Sequence, residues 1–302
     1  MKRATGRPGA EPRTVGGWWD ELARRFASAR LSFGHGTRDA REEAAWLLGH
    51  VLRIPFVALR RALRRAVAEA AARRLERFAA RRIATREPLA YVLREAWLAD
   101  HRFYVNRHVV VPRSHIAELL SEGLAPWVPR GRASRLLDLC TGSGCLAILA
   151  ALAFPKARVD ASDVSAAALG VARRNVAAYR LRARVRLVRS DLFAALARRR
   201  YDLILCNPPY VPSAEMRRLP AEYRAEPRLA LAGGDDGLDF VRRLLAEAAD
   251  HLAPQGVLVV EIGANRKAIE RAFPRLAFTW LATRGGAGVV FLLPRADLAR
   301  PG

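Results

Sequence analysis

The run Tyr201-Asp202-Leu203-Ile204-Leu205-Cys206-Asn207-Pro208-Pro209-Tyr210 has an apolar centre and stops abruptly on two prolines, the pattern of a buried strand entering a loop. Such a loop belongs at the carboxyl edge of an open α/β sheet, the edge where ligands bind. Two successive prolines fix two φ angles and withdraw two backbone donors, so the loop offers carbonyls and the Asn207 side chain to a guest. The guest is then a hydrogen-bond donor. A planar NH2 group fits: Asn207 and the Pro208 carbonyl can each accept one hydrogen, and the Tyr210 ring can stack on the plane.

Working upstream, Ser134 to Leu139 reads as a strand, followed by Cys140-Thr141-Gly142-Ser143-Gly144 and an apolar helical run from Cys145 to Phe154. Gly142 and Gly144 allow a tight turn and a close backbone approach to a ligand, with a helix N-terminus behind it. A second strand ends at Asp163, 25 residues after Asp138, an acid suited to a ribose diol. A third, Val185 to Val188, leads to Ser190-Asp191-Leu192-Phe193, where Asp191 is suited to accept from an adenine amino group and Phe193 to pack on the ring. Four strand ends in register make one site. Downstream, Leu238 to Leu252 reads as a helix, Val257 to Ile262 as a buried strand, and Phe278 to Ala282 with Gly288 to Leu293 as a closing hairpin. Glu261, Asp235, Asp236 and Asp239 read as structural, loop and cap residues.

Towards the N-terminus the pattern becomes helical. Trp18, Leu22 and Phe26, then Ala44, Leu47, Leu48 and Val51, then Val67 to Ile83, recur at helical spacing, and the arginines between them read as solvated helix faces. Phe103-Tyr104-Val105 and Val109-Val110-Val111 flank Asn106-Arg107-His108 as a predicted hairpin, and Ser114 stands before a helix over His115 to Gly123. The organisation read from this is a tail over 1–15, a helical domain over 16–87, a β-hairpin linker over 88–112, a catalytic α/β domain over 113–295 and a tail over 296–302.

Composition sets the outer bounds. The longest apolar run, Cys145 to Phe154, is ten residues, well short of the roughly 18 of a membrane span. The three cysteines Cys140, Cys145 and Cys206 show no CxxC spacing, which predicts reduced thiols in a cytoplasmic, metal-free protein. The net charge of +23 suits a nucleic-acid or ribonucleoprotein partner, but only three of the 52 basic residues are lysine. An arginine- and alanine-rich composition also follows from a GC-rich genome, so the charge alone decides nothing.

The Gly142-x-Gly144-x-x-Ala147 spacing fits a dehydrogenase and a methyltransferase equally. Taken with Asp138-Leu-Cys-Thr-Gly-Ser-Gly144, Ser190-Asp-Leu-Phe193 and Asn207-Pro-Pro-Tyr210, the chain resembles the class I S-adenosylmethionine-dependent methyltransferases of the HemK type, which modify a glutamine side-chain amide in release factors and ribosomal proteins. Phe103 to Ser114, Leu219 to Pro227 and Gly233 to Asp239 are most similar to the branch acting on the third large-subunit ribosomal protein. Release-factor enzymes usually carry glycine where this chain has Cys140, and Trp where it has Phe193. The resemblance implies a Rossmann-like, seven-stranded sheet with one antiparallel strand. It also implies S-adenosylmethionine as methyl donor, leaving as S-adenosylhomocysteine. Asp138, Thr141, Gly142, Gly144, Asp163, Asp191, Phe193 and Asn207 would hold that cofactor. Asn207, Pro208 and Tyr210 would carry catalysis, and Asn207, Pro208, Pro209, Tyr210 and Arg113 would receive the substrate. Its partner would be a ribosomal protein, met alone or in a pre-ribosomal particle, with rRNA against the basic surface.

The remaining readings are a release-factor methyltransferase, a DNA or RNA amino-group methyltransferase and a non-catalytic ribosome-assembly factor. Against the nucleic-acid enzyme stands the lack of a separate target-recognition domain in the sequence. Against the assembly factor stands the joint presence of Gly142, Gly144, Asp163 and Asn207.

Overall fold

The computed structural model describes residues 13–124, 126–128, 133–197, 199–284 and 286–298, in two compact units, Met1–Leu93 and Arg94–Gly302. The expected tails over 1–15 and 296–302 lie largely outside the described residues. Where they are described they are not tails: a helix starts at Val15 and another covers Arg295–Leu298.

The N-terminal unit is a small helical bundle. Its helices Val15–Ser28 and Ala40–Leu52 start at side-chain caps: Thr14 accepts from the Gly17 N–H, and Asp39 from those of Arg41 and Glu42. Trp18, Leu22 and Phe26 pack with Leu47, Leu48, Leu59 and Leu75 in one core. One arginine departs from the solvated-face reading. Arg82, in the helix Glu69–Thr85, is fully buried and its Nε donates to Glu43 Oε1 at 2.7 Å. Both charges are held away from water, so removing either partner alone leaves an uncompensated buried charge.

The second unit opens with a two-stranded ribbon, β1 (Ala96–Leu98) against β2 (His101–Phe103), turning at Ala99 and Asp100 with φ of +48° and +60°. Positive φ at both central residues matches the twist of a tight hairpin. The hairpin expected around Asn106 does not form. Its backbone groups are met by side chains instead: Tyr104 N–H donates to Asn175 Oδ1, His108 N–H to Asn106 Oδ1 and Val111 N–H to Glu226 Oε1. A ladder would need those same donors.

The main sheet contains β3 (Arg135–Leu139), β4 (Arg158–Asp163), β5 (Val185–Arg189), β6 (Tyr201–Cys206), β7 (Leu252–Glu261), β8 (Thr279–Thr283) and β9 (Gly286–Pro294). Their spatial order is β5-β4-β3-β6-β7-β9-β8, and β9 alone runs against the others, as the class I methyltransferase pattern requires. Strand alternation divides the interior. Leu136, Leu203, Leu205, Val257 and Val259 enter the core that also holds the helix Cys145–Ala153, whereas Leu137, Ile204, Cys206, Leu258 and Val260 enter the one beneath the helix Asp239–His251. Because both faces are covered, these strands read as unbroken apolar runs. Among the described residues no helix is long and apolar enough to cross a membrane.

Candidate active site at the carboxyl edge of the sheet

Strand order reverses between β3 and β6, and that is where an open α/β sheet leaves a crevice. Leu139 of β3 pairs with Ser162 of β4 on one side and Cys206 of β6 on the other. The glycine loop, Asp163 and Asn207 therefore leave the sheet side by side.

The glycine loop is tied down from within. Asp138 Oδ2 accepts from Thr141 Oγ1 at 2.5 Å and from the Ala147 N–H at 2.9 Å, while Oδ1, also buried, has no partner among the described residues. Cys140, Gly142 and Gly144 all have left-handed backbone, with φ of +57°, +54° and +78°. A Cβ on Gly144 would press on Ala172 at 3.1 Å, so this glycine lets loop and helix pack closely. At Gly142 the nearest atom to an added Cβ is Cys140 O at 3.9 Å, and the loop is open there for a ligand. Cys140 is a non-glycine residue in left-handed backbone, which costs roughly 1–2 kcal/mol.

Asp163 braces the same loop. Its Oδ2 accepts from the Gly142 N–H and its Oδ1 from the Ser165 N–H, each at 2.9 Å. Burial pushes its carboxyl up and the backbone donors pull it back. A carboxylate has about four lone-pair sites, so acceptor capacity remains for a ribose hydroxyl. The open side of Gly142, the spare acceptors of Asp163 and the loop geometry fit a nucleoside; Asp138, fully enclosed, supports the loop rather than touching a ligand.

Burial pushes the Asp138 carboxyl from its ordinary 3.8 to about 7, with Asp163 adding to the rise. The folded chain thus holds this proton more tightly than the unfolded chain, and stability falls as pH rises from about 4 to about 7. Asp138→Asn cannot ionise. Its melting temperature relative to the unsubstituted chain is expected to climb over that interval and level off above it; a constant difference from pH 4 to pH 8 would refute the buried-acid account.

The two residues expected at an adenine are placed otherwise. Phe193 is buried in the core with its ring stacked on His251 at 4.1 Å, so it is not open to a guest. Its apolar side chain follows the burial of Leu192 and Leu196 beside it. Asp191 is exposed and paired with Arg243 at 2.9 Å.

At the end of β6 the Asn207 side chain has no hydrogen-bond partner among the described residues. Pro208 is buried and Pro209 half-buried. The loop is clamped beyond them. Asn265 Nδ2 donates to the Tyr210 carbonyl at 2.8 Å, Val211 N–H to Leu231 O at 2.8 Å, and Gly233 N–H to Val211 O at 2.9 Å. Added Cβ atoms would fall 2.8 Å from Tyr210 Cα at Gly233, 2.4 Å from Tyr210 O at Gly237 and 2.7 Å from the Tyr210 ring at Gly263. Only glycine allows these approaches. Burial, with the Glu261 charge nearby, pushes the Tyr210 phenol up to about 12, so at neutral pH it is a donor and not a base.

Arg113, expected to meet the substrate, is committed to the protein. Its two terminal nitrogens reach the Glu226 carboxylate at 2.6 and 2.7 Å, and its guanidinium lies over the Tyr223 ring. Next to it, Glu261 at the end of β7 accepts from Ser114 Oγ at 2.6 Å and His115 N–H at 2.8 Å. Residues 111–115 are thereby stitched to two buried carboxylates whose charges both act on the Tyr210 phenol. Glu226, Asn265 and the three glycines escaped the sequence reading. Glu226, Gly233 and Gly237 lie in segments that carry only the marks of a branch, Leu219 to Pro227 and Gly233 to Asp239, and Gly263 and Asn265 lie in neither; a partner 23 or more positions away leaves no periodic signal.

Comparison with known proteins agrees with this architecture. The Methyltransferase small domain model matches residues 117–221 and the PrmC N-terminal domain model residues 23–93. A protein named ribosomal protein uL3 glutamine methyltransferase from Bordetella pertussis is 53% identical over 91% of this chain and 92% of its own length. Proteins of the same name from Burkholderia pseudomallei and Bradyrhizobium diazoefficiens are 49% and 46% identical, each over 91% of this chain and over 92% and 88% of their own lengths.

Proposed function

The chain belongs to the family of ribosomal protein uL3 glutamine methyltransferases, and from that membership we propose that its acceptor is a glutamine side chain of ribosomal protein uL3, modified on the amide nitrogen. It is an S-adenosylmethionine-dependent protein glutamine methyltransferase. The release-factor reading yields to these relatives. The observation that carries the assignment of chemistry is the Asn207 amide, unpartnered among the described residues at the end of β6 on a loop that three glycines and Asn265 hold still.

When bound, S-adenosylmethionine supplies an electrophilic methyl group on a sulfonium. Gly142, Gly144 and Asp163 would hold its nucleoside. The task left to the chain is to aim a poor nucleophile, since the amide lone pair is delocalised into its carbonyl. Asn207 Oδ1 and the Pro208 carbonyl each accept one N–H of the substrate amide, which fixes the nitrogen's orientation and stabilises the positive charge that develops there. Tyr210 packs beside the amide plane. Its phenol stays protonated, and the surplus proton passes to water. Arg113 acts at one remove by keeping Glu226 and residues 111–115 in place.

Mass spectrometry of uL3 from a strain lacking this protein should show one methyl fewer on one glutamine, restored by the unsubstituted chain and not by Asn207→Ala. Full methylation of uL3 in the deletion strain would overturn the assignment. The enzyme would meet uL3 in the cytoplasm, on an assembling particle, with its basic surface against rRNA.

Asp163→Ala is expected to weaken S-adenosylmethionine binding by about 1–3 kcal/mol, the cost of losing a charged hydrogen-bond acceptor. The same change releases the Gly142 N–H, so Asp163→Asn, which keeps an acceptor for it, should lose less. Calorimetry that finds cofactor affinity unchanged in both variants would remove Asp163 from the ribose.

A further inference from the structure

The arginines of the N-terminal unit are not distributed alike. On the helices many are neutralised locally: Arg24 by Glu21, Arg25 by Glu76, Arg38 by Glu42, Arg41 by Asp20 and Arg73 by Glu69. From Ala44 to Ala68 the chain has no acidic residue but contains Arg53, Arg60, Arg61, Arg64 and Arg65. All five are exposed, and none forms an ion pair among the described residues. The same segment exposes apolar surface: Phe56 is 58%, Val57 85% and Leu63 38% accessible. It is also held in shape. Leu59 is buried in the bundle core, and the Val15 and Gly16 N–H groups donate to the carbonyls of Arg65 and Leu63, each at 2.9 Å.

We propose that residues 53–65 form an RNA-binding face, with Arg60, Arg61, Arg64 and Arg65 on phosphates and Phe56 stacked on an unpaired base. This deepens, and rests on, the reading that the basic surface meets rRNA. Guanidinium forks match phosphate oxygens in pairs, and an exposed aromatic ring beside them offers a platform to any base. An acidic protein surface would use the arginines but has no need of the ring.

The test uses the full chain with labelled oligouridylate and with a labelled RNA hairpin carrying a single-stranded loop, by fluorescence anisotropy over a salt series. Replacing Arg60, Arg61, Arg64 and Arg65 together by Gln should weaken binding at least tenfold and flatten the slope of log affinity on log salt by about 3, four contacts at roughly 0.7 each on a single strand. Phe56→Ala should weaken binding about fivefold or more with the slope unchanged, and Phe56→Trp should restore it. Methylation of a short glutamine peptide should be untouched in every variant. RNA binding by the unsubstituted chain that survives the fourfold Arg→Gln replacement would overturn this face while sparing the broader reading. No RNA binding by the unsubstituted chain would overturn both. Loss of turnover on an assembling particle with RNA affinity intact would assign the face to an acidic protein and overturn the proposal.

Discussion

Asn207→Ala is expected to lower methylation of a glutamine acceptor by about a hundred- to a thousandfold while S-adenosylmethionine still binds. A positioned hydrogen bond at a reacting centre is worth on the order of 2.7–4 kcal/mol, by analogy with removal of an oxyanion donor. The loss should fall on turnover rather than on acceptor binding, because the interaction aims the nucleophile and tightens as charge develops. The Asn207 side chain makes no hydrogen bond among the described residues, so its truncation should cost little stability. Asn207→Asp is the sharper variant. It keeps the shape and an acceptor oxygen, but it adds a charge and removes the NH2 with which a bound cofactor or substrate can set the side chain's direction. It should be folded, bind the cofactor within a few fold and be nearly inactive. Near-normal methylation by both variants would reduce the tetrapeptide to a turn, and the amide-aiming role would go with it.

The second large effect is expected where no ligand atom is touched. Gly237 has φ +80°, and an added Cβ would sit 2.4 Å from the Tyr210 carbonyl oxygen and 2.8 Å from Asn265 Nδ2. Neither can yield without straining the 2.8 Å bond that joins them. Gly237→Ala should therefore displace the loop bearing Asn207 and Pro208 by a good fraction of an ångström. A misplacement near 1 Å can cost on the order of a hundredfold in rate. Turnover on the acceptor should fall by about that much, with cofactor affinity changed far less. Gly170→Ala, on a helix with nothing within 4 Å of its added Cβ, is the control and should leave activity unchanged. Equal activity in the two variants would show that Gly237 does not position the loop bearing Asn207 and Tyr210.

Much of this was written in local pattern. Apolar runs ending on a glycine loop or on prolines placed β3 and β6, and the terminal acid of a short mixed run placed β4, and with them came Asp138, the glycine loop, Asp163 and Asn207. Parallel strands covered on both faces leave such runs in any window of six residues, and helix caps leave equally short signals. Ser134–Leu139 and Tyr201–Cys206 could be aligned on one edge because each ends on residues that cannot continue a strand. The order of the strands came with the family resemblance rather than with the pattern.

What only the tertiary structure decided is which polar groups are already taken. Arg113 is spent on Glu226, 113 positions away, and Asp191 on Arg243, 52 positions away. Phe193 belongs to the core because His251 covers its face, and the segment after Phe103 gives its donors to Asn175 and Glu226 instead of folding into a hairpin. Each of these outcomes depends on a partner brought in by the winding of the chain, and a hydrogen bond depends on distance and angle in space, not on spacing along the sequence. The same physics explains the glycines around Tyr210. A glycine's lack of a side chain is visible at once in a sequence, but the atom it makes room for is visible only where two loops meet.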